Sequence, residues 1–197
     1  MRRQTFWRQR VQRTDNRADT RRMEAVPLTP PLPAGITRGV FCVGRQRIFA
    51  DVFTGERRLI DVLRDPGRHY LDVRNGRLAD PDGQPGSREY GAGLLTKTEI
   101  EWVTILAEPA RVEQRFFAHV RKATVRVAFV LPSGEIEATV HVENAATDAV
   151  QFFLRSVEKG AERFLIATNA TLPAVAGRDG GVVIINRSAV QFFCAVR

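Results

Sequence analysis

LLTKTEIEWV, residues 94–103, and IINRSAVQFF, residues 184–193, differ in every letter and share one grammar. Two aliphatics lead into a polar–basic–hydroxyl triplet, and one residue later come an apolar, a polar and an aromatic side chain. Working outward, RIFADV (47–52), RLIDVL (58–63) and HYLDVRN (69–75) precede the first stretch. EIEATV (135–140), AVQFFL (149–154) and RFLIATN (163–169) precede the second. The four offsets are 88, 91, 94 and 90 residues. Four blocks in one order at nearly constant spacing point to a tandem duplication, and an internal period is weighed before any fold assignment.

Each block translates into local structure. TVRVAFVLPSGEIEATVHV (124–142) alternates about a Pro-Ser-Gly turn and reads as a hairpin, with a Gly44 turn in the first copy. The second block has helical spacing: Val150, Phe153, Leu154 and Val157 fall at i, i+3, i+4, i+7. Leu59, Val62 and Leu63 repeat the pattern on a shorter helix, stopped by Pro66-Gly67. The third block is a strand. In the fourth, Thr96-Lys97-Thr98 and Asn186-Arg187-Ser188 interrupt two apolar runs, which fits a tight 3-10 corner between short strands. Leu94, Leu95, Ile100 and Trp102, like Ile184, Ile185, Val190 and Phe192, are expected to fill a core, with Lys97 and Arg187 exposed at the corner. NGRLADPDGQPGSREYGAG (75–93) reads as a surface loop. EPARVEQRFFAHVRKA (108–123) reads as a connecting helix or as an extended lead into the next strand.

TVRVAFVLPSGEIEATVHV resembles the opening strands of an Sm-like barrel, and GGVVIINRSAVQFFCAV is similar to the last two strands of that fold. The resemblance covers about 60 residues of each copy and extends to other SH3-like barrels, and it implies a small, partly open barrel. The RNA-contacting positions of the Sm family are not matched: its Arg-Gly corresponds here to Asn186-Arg187 and Thr96-Lys97, and its second-strand glycine to Ala138 and Ala50. The fold expected is therefore mainly β: two tandem small SH3/Sm-like barrels, each of about five strands with one short helix, behind a disordered basic N-terminal arm. The boundaries are 1–35 for arm and Pro-rich linker, 36–108 for the first barrel, 109–123 for the connector and 124–197 for the second barrel.

Charge is distributed unevenly. The chain of 197 residues carries a formal net charge of +8. Residues 1–24 hold eight arginines against three acidic groups, 8 − 3 = +5. Residues 36–108 hold eleven basic and eleven acidic groups, and residues 109–197 eleven and eight, 11 − 8 = +3. Few apolar side chains accompany the arm, so it is expected to be disordered when free. VPLTPPLPAG (26–35) follows as a semi-rigid spacer. Arg2, Arg3, Phe6, Trp7, Arg8, Arg10, Arg13, Arg17, Arg21 and Arg22 are the candidate contacts for nucleic acid or an acidic partner. The arginines neutralise phosphates or carboxylates, and the aromatics offer stacking faces.

Catalytic motifs are absent from the sequence. It has no GxSxG, no GxxxxGK[ST] and no GxGxxG, nor the Asp/Asn-x-Ser-x-x-Gly of a PilZ-type receptor. GRDGG (177–181) leads into a strand, as a hairpin turn does. His69, His119 and His141 are widely separated, and Asp80 and Asp82 lack the further oxygens of a calcium loop. No catalytic, metal or cofactor site is expected. Cys42 and Cys194 read as small buried hydrophobes of a reducing compartment. No apolar run reaches the ~18–20 residues of a membrane span and no secretory signal is visible, which makes the cytoplasm the default location. The function expected is a non-enzymatic interaction or assembly module, acting on a protein partner or on itself, with the arm for an acidic partner. The alternative is nucleic-acid binding through the arm with the barrels as platform.

Overall fold

Gly44, at φ 56°, and Gly134, at φ 130°, close two hairpins. Only a residue without a Cβ adopts such angles freely, so these turns fix where the flanking strands reverse. The computed structural model describes residues 32–80, 83–109, 123–142, 150–151, 153–154, 163–172 and 181–196. The chain divides into the units Met1–Pro31 and Leu32–Arg197, and every described residue lies in the second.

The first half contains β1 (Ile36–Val43), β2 (Gln46–Phe53), α1 (Leu59–Arg64), β3 (Tyr70–Ala79), β4 (Pro85–Thr96) and β5 (Ile100–Ala107). The second contains β6 (Ala123–Leu131), β7 (Gly134–Val142), β8 (Phe164–Thr171), β9 (Gly181–Asn186) and β10 (Phe192–Ala195). Backbone at 150–151 and 153–154 is helical. Among the described residues these ten strands form one antiparallel sheet in the order β10-β6-β7-β8-β9-β5-β1-β2-β3-β4. Each half runs in the order fifth, first, second, third, fourth strand.

The sequence points to two tandem, partly open barrels, and among the described residues the strands of both halves form a single open sheet. The sheet runs through both halves because β9 pairs with β5, and it does not close, since β10 and β4 stand at opposite ends. A strand edge is a row of unpaired donors and acceptors, and two such edges tethered in one chain satisfy each other.

Two apolar cores lie on this sheet, and each takes side chains from the other half. The first-half core is built on Phe41, Val52, Leu59, Leu63, Leu71 and Ile100, and includes Phe164 and Ile184. The second-half core is built on Val127, Phe129, Ile136, Val140 and Ile185, and includes Cys42 and Trp102. Leu59, Val62 and Leu63 of α1 are buried, as their spacing predicts, and Ile60 is buried with them. The Asp61 carboxylate accepts from the Arg58 N–H at 3.3 Å and Glu108 from the Leu59 N–H at 3.3 Å, which satisfies two of the donors at the start of the helix. In the second half Phe153 packs on the core and stacks on Phe193, 4.6 Å between centroids, whereas Val150 and Leu154 are exposed.

Residues 75–93, expected to be a loop, form most of a hairpin arm instead. Gly76 pairs with Tyr90, Arg77 with Glu89 and Ala79 with Pro85. Backbone ladders need no apolar side chains, and here an Arg77–Glu89 ion pair and Arg88 over the Tyr90 ring support the two strands. Asp80 accepts from the Gln84 N–H at 2.8 Å and holds the turn. The connector expected at 109–123 lies almost wholly outside the described residues.

Because the cores share side chains, both halves are expected to unfold in one transition. Trp102→Ala should cost about 3–5 kcal/mol, read by chemical denaturation. Two separable transitions, with only one shifted, would contradict the shared core.

Candidate functional site

The β5–β9 junction is the best-defined contact between the halves. Trp102 pairs with Ile185, Val103 with Ile184 and Thr104 with Val183. Side chains lock the ladder from both sides. The Trp102 indole N–H donates to Ser133 Oγ at 3.0 Å, in the β6–β7 turn, while Glu101 accepts from the Ser133 N–H at 2.9 Å. Asn186 Nδ2 donates to the Ile100 carbonyl at 2.7 Å. Arg64 donates twice to the Phe164 carbonyl, at 2.9 and 3.1 Å.

Sheet order leaves two outer edges, β4 and β10, each paired on one side only among the described residues. Large apolar side chains are exposed there: Leu94 at 63 %, Phe192 at 59 % and, on β3 beside β4, Tyr70 at 53 %. The sequence places Leu94 and Phe192 in a core; they are exposed instead, because among the described residues no further strand pairs with β4 or β10. Trp102, Ile184 and Phe164 at the junction are 0 % exposed. An open edge with apolar side chains adds another strand by main-chain hydrogen bonds, and its side chains set the register.

Lys97 is also corrected. It is buried, and its ammonium donates to the carbonyls of Val62 at 3.0 Å and Asp65 at 2.6 Å, ending α1. Burial pushes the ammonium below the usual lysine range, against the pull of Asp65. A cation at a helix C-terminus meets the last unpaired carbonyls. Arg187, at the matching corner, is buried as well. Asn186 Oδ1 accepts from the Ser188 N–H at 3.1 Å and so caps the 3-10 turn 187–189, as the triplet predicts.

A cleft of about 540 Å³ opens beside β2 and the β3–β4 arm, lined in part by Arg38, Asp51, Asn75, Arg77 and Glu89. Its charges are paired with one another. Arg38 forks onto Asp51 at 2.6 and 3.0 Å, Asn75 Nδ2 donates to Asp51 at 2.9 Å, and Arg77 meets Glu89. Asn75 holds φ 52°, the left-handed region that asparagine tolerates, and Asn169 does the same in the second half. Burial alone would raise the Asp51 carboxyl; the bonds from Arg38 and Asn75 outweigh it, and the group titrates below its ordinary range. This cluster is a structural tie across β1, β2 and β3.

Among the described residues no group of three His, Cys, Asp or Glu side chains could hold a metal ion. His141 bonds Thr168 at 3.0 Å. Cys42 and Cys194 are free thiols; Cys42 is buried, which pushes its thiol up. No helix among the described residues is long and apolar enough to cross a membrane. The arm contacts predicted from sequence (Arg2, Arg3, Phe6, Trp7, Arg8, Arg10, Arg13, Arg17, Arg21 and Arg22) lie outside the described residues. Comparison with protein-family models, curated proteins and solved structures finds no match.

A carboxyl held below its unfolded value adds stability that is complete above about pH 4 and disappears as pH falls through the folded pKa. Asp51→Asn should therefore lower stability by about 1–3 kcal/mol at neutral pH and flatten the acid limb of the stability profile. A variant with an unaltered acid limb would remove Asp51 from that role.

Proposed function

We propose that the chain is a non-enzymatic interaction or assembly module, built from a duplicated SH3/Sm-like strand unit and acting through its open sheet edges. The exposure of Leu94 on β4 and Phe192 on β10, with Tyr70 on β3 beside β4, carries this reading. Isolated apolar residues on a surface need no explanation, but apolar residues grouped at an unpaired strand edge mark a place where another strand adds. The identical strand order in both halves supports duplication, and the internal β5–β9 pairing supports edge addition as the mode by which the unit binds.

Residues 1–25 add a basic arm for an acidic partner. Eight arginines within 24 residues also favour a second reading, in which the arm binds nucleic acid and the sheet serves as platform.

Affinity capture with the full chain, with an arm-deleted chain and with a Leu94→Glu/Phe192→Glu chain, each with and without nuclease, separates the two. The edge reading expects a stoichiometric protein partner that survives nuclease and arm deletion and is lost from the edge variant. Capture that disappears with nuclease and with the arm, and that weakens steeply with salt, would replace it by the nucleic-acid reading.

A further inference from the structure

We infer that the cleft beside β2 and the β3–β4 arm is a binding site for a small organic anion, a carboxylate or phosphate carried on a flat apolar body. This goes beyond the edge reading and does not depend on it. The cleft measures about 540 Å³, within the roughly 300–1,000 Å³ of small-molecule sites and more than a bare ion fills. Sheet register explains what lines it. Arg38 pairs with Asp51 and Val40 with Phe49 without interruption, so strand alternation puts Asp51 and Phe49 on one face of β2. Arg77 stands opposite Phe49 on β3, and Glu89 opposite Arg77 on β4. The aromatic residue thus has a guanidinium group on each neighbouring strand, and Pro85 and Leu106 add apolar wall.

Each arginine is held by one edge. Arg38 donates to Asp51 through Nε and Nη2, and Arg77 donates to a single oxygen of Glu89 through the same two nitrogens. The other edge of each guanidinium, Nη1 with the outer hydrogen of Nη2, makes no hydrogen bond among the described residues. The two side chains are 31 % and 45 % exposed, so these edges are accessible. Such an edge presents two parallel N–H groups, matched to the paired oxygens of a carboxylate or phosphate. Asp51 offers a ligand nothing, since it is buried and its oxygens are taken by Arg38 and by Asn75 Nδ2. Glu89 is the internal competitor: its half-exposed carboxylate offsets the charge of Arg77.

The second half shows that this backbone forms without those charges. Asn169 holds the same φ of 52° as Asn75, and a register shift stands at both places, between Phe49 and Asp51 and between Glu137 and Thr139. Arg38 opposite Asp51 corresponds to Arg126 opposite Thr139, and Phe49 opposite Arg77 corresponds to Glu137 opposite Thr171. Threonines stand where the first half has Asp51 and Arg77, and Arg126 turns instead to Glu137 as a surface pair. The bulge needs its asparagine and not the arginines, so the charges of the first half serve more than the backbone.

Amide chemical shifts of the full chain, titrated with benzoate, phenyl phosphate and the neutral benzyl alcohol, test it. One or both anions should shift residues 38, 49–51 and 75–77 saturably at millimolar concentration, and benzyl alcohol should not. The two anions separate a carboxylate ligand from a phosphate one. Arg38→Lys keeps a charge for Asp51 and loses the two-pronged edge, and Arg77→Gln removes the second edge. Each should weaken binding about 10- to 100-fold. Glu89→Gln frees Arg77 and should tighten binding, a gain that a purely structural ion pair would not give. Circular dichroism and melting check that each variant folds. Arg77→Gln and Glu89→Gln alter an exposed pair and keep the test decisive if Arg38→Lys does not fold. The absence of a saturable shift with either anion overturns the inference, including the case in which chain outside the described residues fills the cleft. Shifts confined to residues 1–31, equal binding of benzyl alcohol, or an affinity unchanged in both Arg77→Gln and Glu89→Gln overturn it as well.

Discussion

The pairing of β5 with β9 is the contact on which the rest of the structure depends. Among the described residues it joins two five-strand units into one ten-strand sheet. It also decides which apolar residues are core: Trp102 enters the second-half core, and Phe164 and Ile184 enter the first. At about 25 cal/mol per Å² of apolar surface removed from water, burying such side chains is worth roughly 1.5–3 kcal/mol each. Neither half can retain its full core without the other.

Polar groups around the junction are satisfied in a way that fixes its register. Ser133 is bonded through both its hydroxyl and its N–H, to Trp102 and Glu101. Asn186 bridges two halves: its amide nitrogen donates to Ile100 and its oxygen caps the turn at Ser188. A slip by one residue would leave these buried groups without partners and would turn each strand's apolar face outward. Lys97 does comparable service for α1, whose last carbonyls would otherwise face an apolar interior.

Much of this was legible in the sequence, for a physical reason. Alternation and turn glycines report local geometry, so the hairpins at Gly44 and Gly134, the helix at Leu59–Arg64 and the capped turn at Asn186 lie where the residues place them. Burial of a particular side chain depends on what lies beside its strand, and a shared pattern in two stretches does not give them equal neighbours. Leu94 and Ile184 have the same pattern around them, and one is exposed while the other is buried, because among the described residues β9 has strands on both sides and β4 on one. Lys97 misled in the opposite direction: a charge at a corner suggests solvent, and nothing local reveals that the end of α1 packs above it. The arm at 75–93 was hidden by its glycines, since a ladder held by backbone bonds and exposed ion pairs has little apolar signature.

Amide hydrogen exchange, followed residue by residue at two protein concentrations, tests the central claim most directly. If the β5–β9 pairing holds the molecule together, the inward-facing amides of residues 102–104 and 183–185 should exchange only with global unfolding, at both concentrations. Outer-edge amides of β4 and β10 should exchange early in the dilute sample. Junction amides that exchange as fast as those outer edges, while β1, β2, β6 and β7 stay protected, would show two independently closed units and contradict the account.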